Sequence, residues 1–371
     1  MSASAHWLDE RRADAAARFA AAGVPHRRIE DWKYTDLKPA IEGANDDAAV
    51  EWSIRTRPDS VEVFDLASAD APGWVREHLG TLPQNAMAAA SLARTRRGFA
   101  VRVPKGVAAG TLDFEWSGSG SGRALIVLEE SASVILHENN RTDGFANIGM
   151  EIVTAANAQV THLRVANRAA NAVQVEEYAV AVAQGGAYRA HLFNGGAKLS
   201  RAEFQIALSG AGASAALSGV SVLADGAHAD ITTHITHAVA NTESTQLFKK
   251  VAGGASRAIY QGRITVAEGA VKSDSRQTAK ALLMGSRAEA DLKPELEIFA
   301  DDVKCAHGAA VGDLDLDSLF YLRARGIPEA EARNMLVRAF LGEAVDEIAD
   351  EALRGHMWSL VEEALAGAMQ P

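Results

Sequence analysis

Arg201-Ala202-Glu203-Phe204-Gln205-Ile206-Ala207-Leu208-Ser209-Gly210-Ala211-Gly212-Ala213 is the stretch on which the fold turns. Phe204, Ile206 and Leu208 share one parity and are separated by Gln205 and Ala207, the two-residue period of a strand. The run then stops at a corner of small residues. The same design recurs on both sides. Ile231 and Ile235 share a parity, with Thr232 and His234 on the other, and small-residue corners follow at Gln184–Ala187, Asp225–Ala227, Gly253–Ala255 and Glu268–Ala270. The alanines that close these corners (Ala187, Ala213, Ala227, Ala255, Ala270, with Ala158 as an earlier candidate) are spaced by about 14 residues or about twice that. A steady period predicts stacked coils, each burying its apolar residues against the next. An antiparallel sandwich or meander also gives short strands and glycine turns, and the pattern leaves it as the alternative.

Proline usage marks the limits of this region. None occurs between Pro104 and Pro294; proline cannot donate to a ladder and is excluded from central strands, so the gap fits continuous β structure. Five of the nine prolines and four of the six tryptophans fall in the first 100 residues, which predicts an irregular, capped region there. In it Leu8, Ala15, Phe19 and Ala22 fall near one helical face, and Gly23 followed by Pro25 reads as a helix stop. The segment from Ser117 to Gly122 (Ser-Gly-Ser-Gly-Ser-Gly) runs into a strand-like sequence instead of opening a helix, so it reads as a flexible connection and not a phosphate loop. The last part reads as helical. Pro328 stands near a start with Glu329 and Glu331 in the first turn. Ala332, Met335, Leu336, Ala339 and Phe340 make a stripe, and Gly342 separates it from a second helix carrying Val345, Ile348, Ala349, Ala352 and Leu353. The expected division is 1–100 helical and irregular, 101–312 β solenoid, and 313–371 helical. The last helices would cap the open end of the solenoid, or serve as a docking surface.

Bulk properties narrow the function. A net charge of −11 makes nucleic acid a poor partner. No apolar run reaches the roughly 18 residues of a membrane span. Met1 to Phe19 reads as an amphipathic helix and not as a signal peptide. A single cysteine, Cys305, excludes an internal disulfide and suits a reducing compartment, so a cytoplasmic protein is expected.

Few residues carry the chemistry. In Cys305-Ala306-His307 a thiol and an imidazole two apart on a strand share a face, and both suit iron, zinc or copper. The alternative is a buried cysteine beside a structural histidine. An iron–sulfur cluster usually wants four thiolates, so a cluster here must borrow ligands from another chain. His234 and His237, three apart, face opposite sides of a strand and make poor joint ligands. Asp313-Leu314-Asp315-Leu316-Asp317 imitates a calcium loop, but Ser318 and Ala324 stand where glycine and glutamate are needed; acids at a helix start are the better account.

The segment Asp301-Asp302-Val303-Lys304-Cys305-Ala306-His307-Gly308-Ala309-Ala310-Val311-Gly312, continued by Leu314-Asp315, Leu319-Phe320-Tyr321-Leu322, Arg325-Gly326-Ile327, Ala332-Arg333, Met335-Leu336 and Ala339-Phe340, resembles the C-terminal signature of the SufB/SufD family. Pro294-Glu295-Leu296-Glu297-Ile298 resembles its entry, and Glu30-Asp31-Trp32-Lys33-Tyr34-Thr35-Asp36 its N-terminal signature. The resemblance implies a right-handed parallel β-helix flanked by N- and C-terminal helical regions, mainly β. It implies pairing of SufB-like and SufD-like chains through their β-helices, and docking of the SufC ATPase on C-terminal helices, here about 313–350. The functional cysteine of the SufB branch falls on Ala279, whereas Cys305 and His307 resemble the SufD branch. That branch assigns His307 a candidate role as iron or cluster ligand and Cys305 an interface role. The implied function is a non-enzymatic scaffold for iron–sulfur cluster assembly, the cluster transient, shared with SufB and not tightly bound by the isolated chain, with a homodimer possible when the chain is alone. A β-helix polysaccharide lyase or hydrolase is the alternative; the acids Glu295, Glu297, Asp301 and Asp302 sit beside the signature and form no recognisable pair.

Overall fold

Alternation at period two buries one side of each strand, and parallel pairing on both edges buries the rest, so the middle of the chain stacks into coils. The computed structural model describes residues 7–44, 48–83, 85–167 and 169–368; the start of the helix expected from Met1 lies outside them. Three strands precede the regular coils: β1 (Glu51–Thr56), β2 (Glu62–Asp65) and β3 (Gly98–Val103). The solenoid continues through β4 (Ala108–Leu128), β5 (Ser133–Thr154), β6 (Gln159–Ala166), β7 (Ala169–Val182), β8 (Ala187–Asn194), β9 (Ala197–Leu208) and β10 (Ser214–Leu223). It ends with β11 (His228–His237), β12 (Glu243–Ala252), β13 (Arg257–Val266), β14 (Asp274–Leu283), β15 (Glu289–Ile298) and β16 (Lys304–Gly312).

The pairing is parallel throughout the coils. Strands β6, β8, β10, β12, β14 and β16 form one sheet, and β7, β9, β11, β13 and β15 the other. Both sheets meet in β5, whose first half pairs with β6 and second half with β7. The fold is thus a parallel β-solenoid of about eight turns with helices at both ends of the chain, and the antiparallel alternative falls. Ser214 pairs with Ala187 on one side and Glu243 on the other; the spacing near 14 residues is half a coil and the doubled spacing a full one.

The corners explain the small residues. Gly106, Ser131, Asn157, Gly185, Gly212, Asn241 and Lys272 occupy equivalent turns in successive coils, all with φ between 58° and 74°. Each donates its backbone N–H to a carbonyl in the next coil, for example Asn157 to Gln184 and Gly212 to Asn241. Glycine and asparagine tolerate this left-handed backbone, which explains why they dominate the column. The lumen between the sheets is filled by aromatics, among them Tyr178 stacked on Phe204 at 4.3 Å and Phe248 against Tyr260 at 4.7 Å.

Ser117–Gly122 is not a flexible connection. It lies inside β4, paired with β5, where a register shift between Gly118 and Gly120 bends the strand. A Cβ on Gly120 would lie 2.2 Å from the Ala48 backbone, so the glycine is required by close approach.

Each sheet is covered by one end of the chain, as parallel sheets require. Helices α1 (Asp9–Ala22), α2 (Leu37–Ala40), α3 (Gly73–His78) and α4 (Ala86–Arg94) belong to the N-terminal part. The segment 30–36 then straps the second sheet. Trp32 lies under the Arg201 guanidinium at 4.1 Å, Thr35 Oγ1 donates to Asp230 at 2.5 Å, Gln261 donates to the Asp31 carbonyl at 3.0 Å, and Glu30 pairs with Lys293 of β15.

The first sheet is covered by α6 (Glu329–Val345) and α7 (Glu351–Ala368), after the short α5 (Leu316–Ala324). Leu163, Val165, Phe193, Val220, Val222 and Val251 pack on Val337, Leu341, Val345, Met357, Leu360 and Val361. These helices therefore lie along the flank and do not cap the end of the solenoid. Gly342 does not break α6; it is buried within the helix beside Trp358 of α7, where an added Cβ would meet the indole at 3.5 Å, an ordinary contact. The predicted stripe is also shifted, with Met335 and Ala339 exposed and Val337 and Leu341 inward, because α6 meets the sheet and α7 on different faces.

Candidate functional site

Because the helices lie on the flank, the last coil has no successor. On β14 the residues facing the lumen are Ser275, Gln277, Ala279 and Ala281, all buried. Their register partners on β16 are Cys305, His307, Ala309 and Val311. The same four positions are thus repeated one rung further, where no coil covers them, and His307, Ala309 and Val311 are exposed. Opposite them, Tyr260, Ile264 and Val266 of β13 are followed on β15 by Leu292, Leu296 and Ile298. Ile298, Phe299 and Val311 are 41%, 64% and 46% exposed, an apolar rim around the open end. Pro294 sits in β15, where only one edge is paired, which explains why the proline-free stretch ends there.

Cys305 and His307 are brought together as the spacing predicts, on one face of one strand. Cys305 is half-buried beside Val303, Leu296 and Ile264. Burial, reinforced by the negative charge of Asp274, pushes its thiol above the ordinary range, so it carries less thiolate than a free cysteine at neutral pH. Among the described residues no three histidine, cysteine, aspartate or glutamate side chains converge on a point that could hold a metal. The pair fits a cluster only as half a site: one soft and one borderline donor at a surface where a second chain could supply the others.

The remaining candidates separate. His234 lies on the outer face near Asp31 and Glu203, at 4.0 and 3.8 Å, while His237 is buried in the lumen between Thr242 and Ser244, at 2.8 and 2.9 Å. Burial lowers the His237 pKa to about 4, so it is neutral. Ala279 is buried in the lumen one rung behind Ala309, its neighbour on the other side being Phe248. Asp315 accepts from the backbone N–H groups of Asp317 and Ser318, at 2.9 and 3.3 Å, and so caps α5; the Ser318 hydroxyl, which donates to it at 2.9 Å, together with those backbone bonds holds its carboxyl below the usual range. Glu295 and Glu297 contact Arg263, each at 3.5 Å, and Glu295 also Lys293 at 3.1 Å. They are taken up in ion pairs along the outer face of the strands.

A second exposed surface lies within the segment from 313 to 350, on residues the sequence reading did not single out as outward-facing. On α5 only Leu319 is buried, while Leu316, Phe320 and Tyr321 are 72%, 74% and 57% exposed. Arg325 lies over the Tyr321 ring at 4.8 Å and donates to its hydroxyl at 2.7 Å, fixing that side chain. Met335 of α6 adds to the exposed apolar area. The available signal was the pair Leu316 and Phe320, four apart on a helix whose inward residue is Leu319. Large exposed apolar groups of this kind mark interaction surfaces.

Comparisons of the sequence with known proteins give the family. A sequence model described as the SUF system FeS cluster assembly SufBD core domain matches residues 115–340, and one for the SufBD protein N-terminal region matches residues 1–64. Of the curated proteins, the iron-sulfur cluster assembly protein SufD of Escherichia coli is 33% identical over 238 residues, 64% of this chain and 56% of its own. The SufBD family protein slr0076 of Synechocystis is 34% identical over 249 residues, 63% of this chain and 54% of its own. The SufBD family protein Rv1462 of Mycobacterium tuberculosis is 27% identical over 359 residues, 92% of this chain and 89% of its own. The chain thus spans a little over half the length of the first two relatives and most of the third.

Proposed function

Since this chain belongs to the SufBD family, whose role is iron–sulfur cluster assembly, we propose that it is a SufD-type scaffold subunit with no catalytic chemistry of its own. In this reading it pairs through the open end of its β-helix with a SufB chain in the cytoplasm, and docks the SufC ATPase on the C-terminal part from residue 313 onward. Alone it would form a homodimer through the same end. The observation that carries the reading is the uncovered terminal rung, with Cys305 and His307 side by side inside an apolar rim. The rim offers buried area to a partner strand, and the two donors supply half of the ligands that transiently held iron or a cluster requires. The exposed face of α5 supports the second contact. Energy would enter as differential contacts of the helices with the two nucleotide states of the ATPase, transmitted to the solenoid through the packing of α6 and α7 on β8, β10 and β12. No helix among the described residues is long and apolar enough to cross a membrane.

The test is His307→Ala in the assembled complex of this chain with SufB and SufC, scoring cluster formation and ATPase activity separately. The expected result is loss of the cluster, at least tenfold, with assembly and ATP hydrolysis retained. Normal cluster formation would remove His307 as a ligand, and failure of the chains to co-purify would make it a packing residue.

A further inference from the structure

Far from the open end, a second pair of imidazoles meets where the C-terminal helix crosses the first coils. His137 stands on the outer face of β5 and His356 on α7, their ring centroids 5.1 Å apart and their planes at 76°. Behind His137, its Nδ1 lies 3.1 Å from Asp113 Oδ2, and the other oxygen of Asp113 accepts from Asn139 at 3.2 Å. A carboxylate only accepts, so this contact places the His137 proton on Nδ1. With that proton on Nδ1, the lone pair of Nε2 is free. That atom is buried and has no hydrogen-bond partner, and the same is true of Nε2 of His356. Two buried, unpartnered imidazole nitrogens at one contact call for a common partner, since a buried polar atom left unmet is unfavourable. A carboxylate behind a histidine, fixing its tautomer and aiming the free nitrogen outward, is the arrangement that orients metal-ligating histidines.

We propose that His137 and His356 bind a divalent first-row transition ion of the zinc class through their Nε2 atoms, and that the ion fastens α7 to the solenoid. Imidazole nitrogen selects ions of this class over calcium or magnesium. Two protein donors leave further positions to water, which makes the site a reversible fastener and not a closed structural centre. Neither histidine lies near Cys305 or His307 in the chain, so the site stands apart from the cluster-assembly reading.

The experiment uses the full chain carrying Cys305→Ser, stripped with chelator and titrated with Zn2+ alone. Equilibrium dialysis counts the bound ions, and thermal unfolding is followed with and without zinc. The parent should show a zinc-dependent rise in Tm of roughly 2 °C or more. His356→Gln, and separately His137→Gln, should bind one ion fewer and lose that rise, while the exposed His26→Gln keeps both. Because the readout is the increment caused by zinc, a change in basal stability of a variant does not blur it. A parent without a zinc-dependent rise, or a His356→Gln protein that binds as many ions and rises as far, would overturn the proposal.

Discussion

Lys249 and Lys250 are adjacent in the sequence, and the strand sends them to opposite faces. Lys249 reaches α6, where its Nζ lies 2.5 Å from Glu343 and 4.5 Å from the Phe340 ring centroid. Lys250 points into the lumen, buried, with a single weak hydrogen bond to Ser221 at 3.4 Å. Burial lowers its pKa from 10.5 to about 7. The unfolded chain therefore binds this proton up to about pH 10.5 and the folded chain only up to about pH 7, so stability rises with pH across that window. At pH 7 the penalty is on the order of 4 kcal/mol. Lys250→Met should raise stability at pH 7 by roughly 2 kcal/mol or more and flatten the rise between pH 7 and 10, as measured by chemical denaturation. Residue-scale reading succeeded where strand parity was enough: Cys305 with His307 on one face, His234 and His237 on two. It failed where depth mattered, because parity alone does not say which face is lumen and which is covered by a helix.

In the α5 helix the sequence shows the start but not which residues face outward. Its acids read as a helix start, and Asp315 does cap it; of the apolar run that follows, Leu319 packs inward while Leu316, Phe320 and Tyr321 face outward. Phe320→Asp should leave Tm within about 1 °C, since a 74%-exposed side chain contributes little to the folded state. It should weaken capture of the SufC ATPase at least tenfold in a pull-down, which a purely structural α5 would not show. At this scale the repeat itself was legible, because every coil needs a corner and the corner needs residues that accept a left-handed backbone. Gly342 and Ser117–Gly122 were misread for the opposite reason. Glycine breaks a helix or loosens a strand in isolation, but here Gly342 is carried inside α6 and packed by Trp358 of the next helix, while Gly120 admits the Ala48 backbone against β4, a neighbour far away in sequence.

For the whole molecule, the two ends of the chain divide the work: the N-terminal part closes one sheet and the C-terminal helices the other. The sequence made three regions visible but not this arrangement, since flank and cap differ only in which apolar residues face which sheet. The N-terminal signature around Trp32 gains a physical meaning from it. Its strap spans from Arg201 on β9 to Lys293 on β15, crossing four strands of one sheet, while on the other sheet the C-terminal helix cluster reaches Leu282 of β14 and, among the described residues, no comparable strap crosses the outer side of β16. The final turn is consequently sewn down along one seam and loose along the other. A neighbour tugging on that turn would open it like a cover hinged at β15, with β16 peeling from β14 while the lumen behind stays shut. Amide hydrogen exchange of the isolated chain should then release the 304–312 backbone before that of 289–298, and removing the Trp32 ring should erase the difference by setting both edges free.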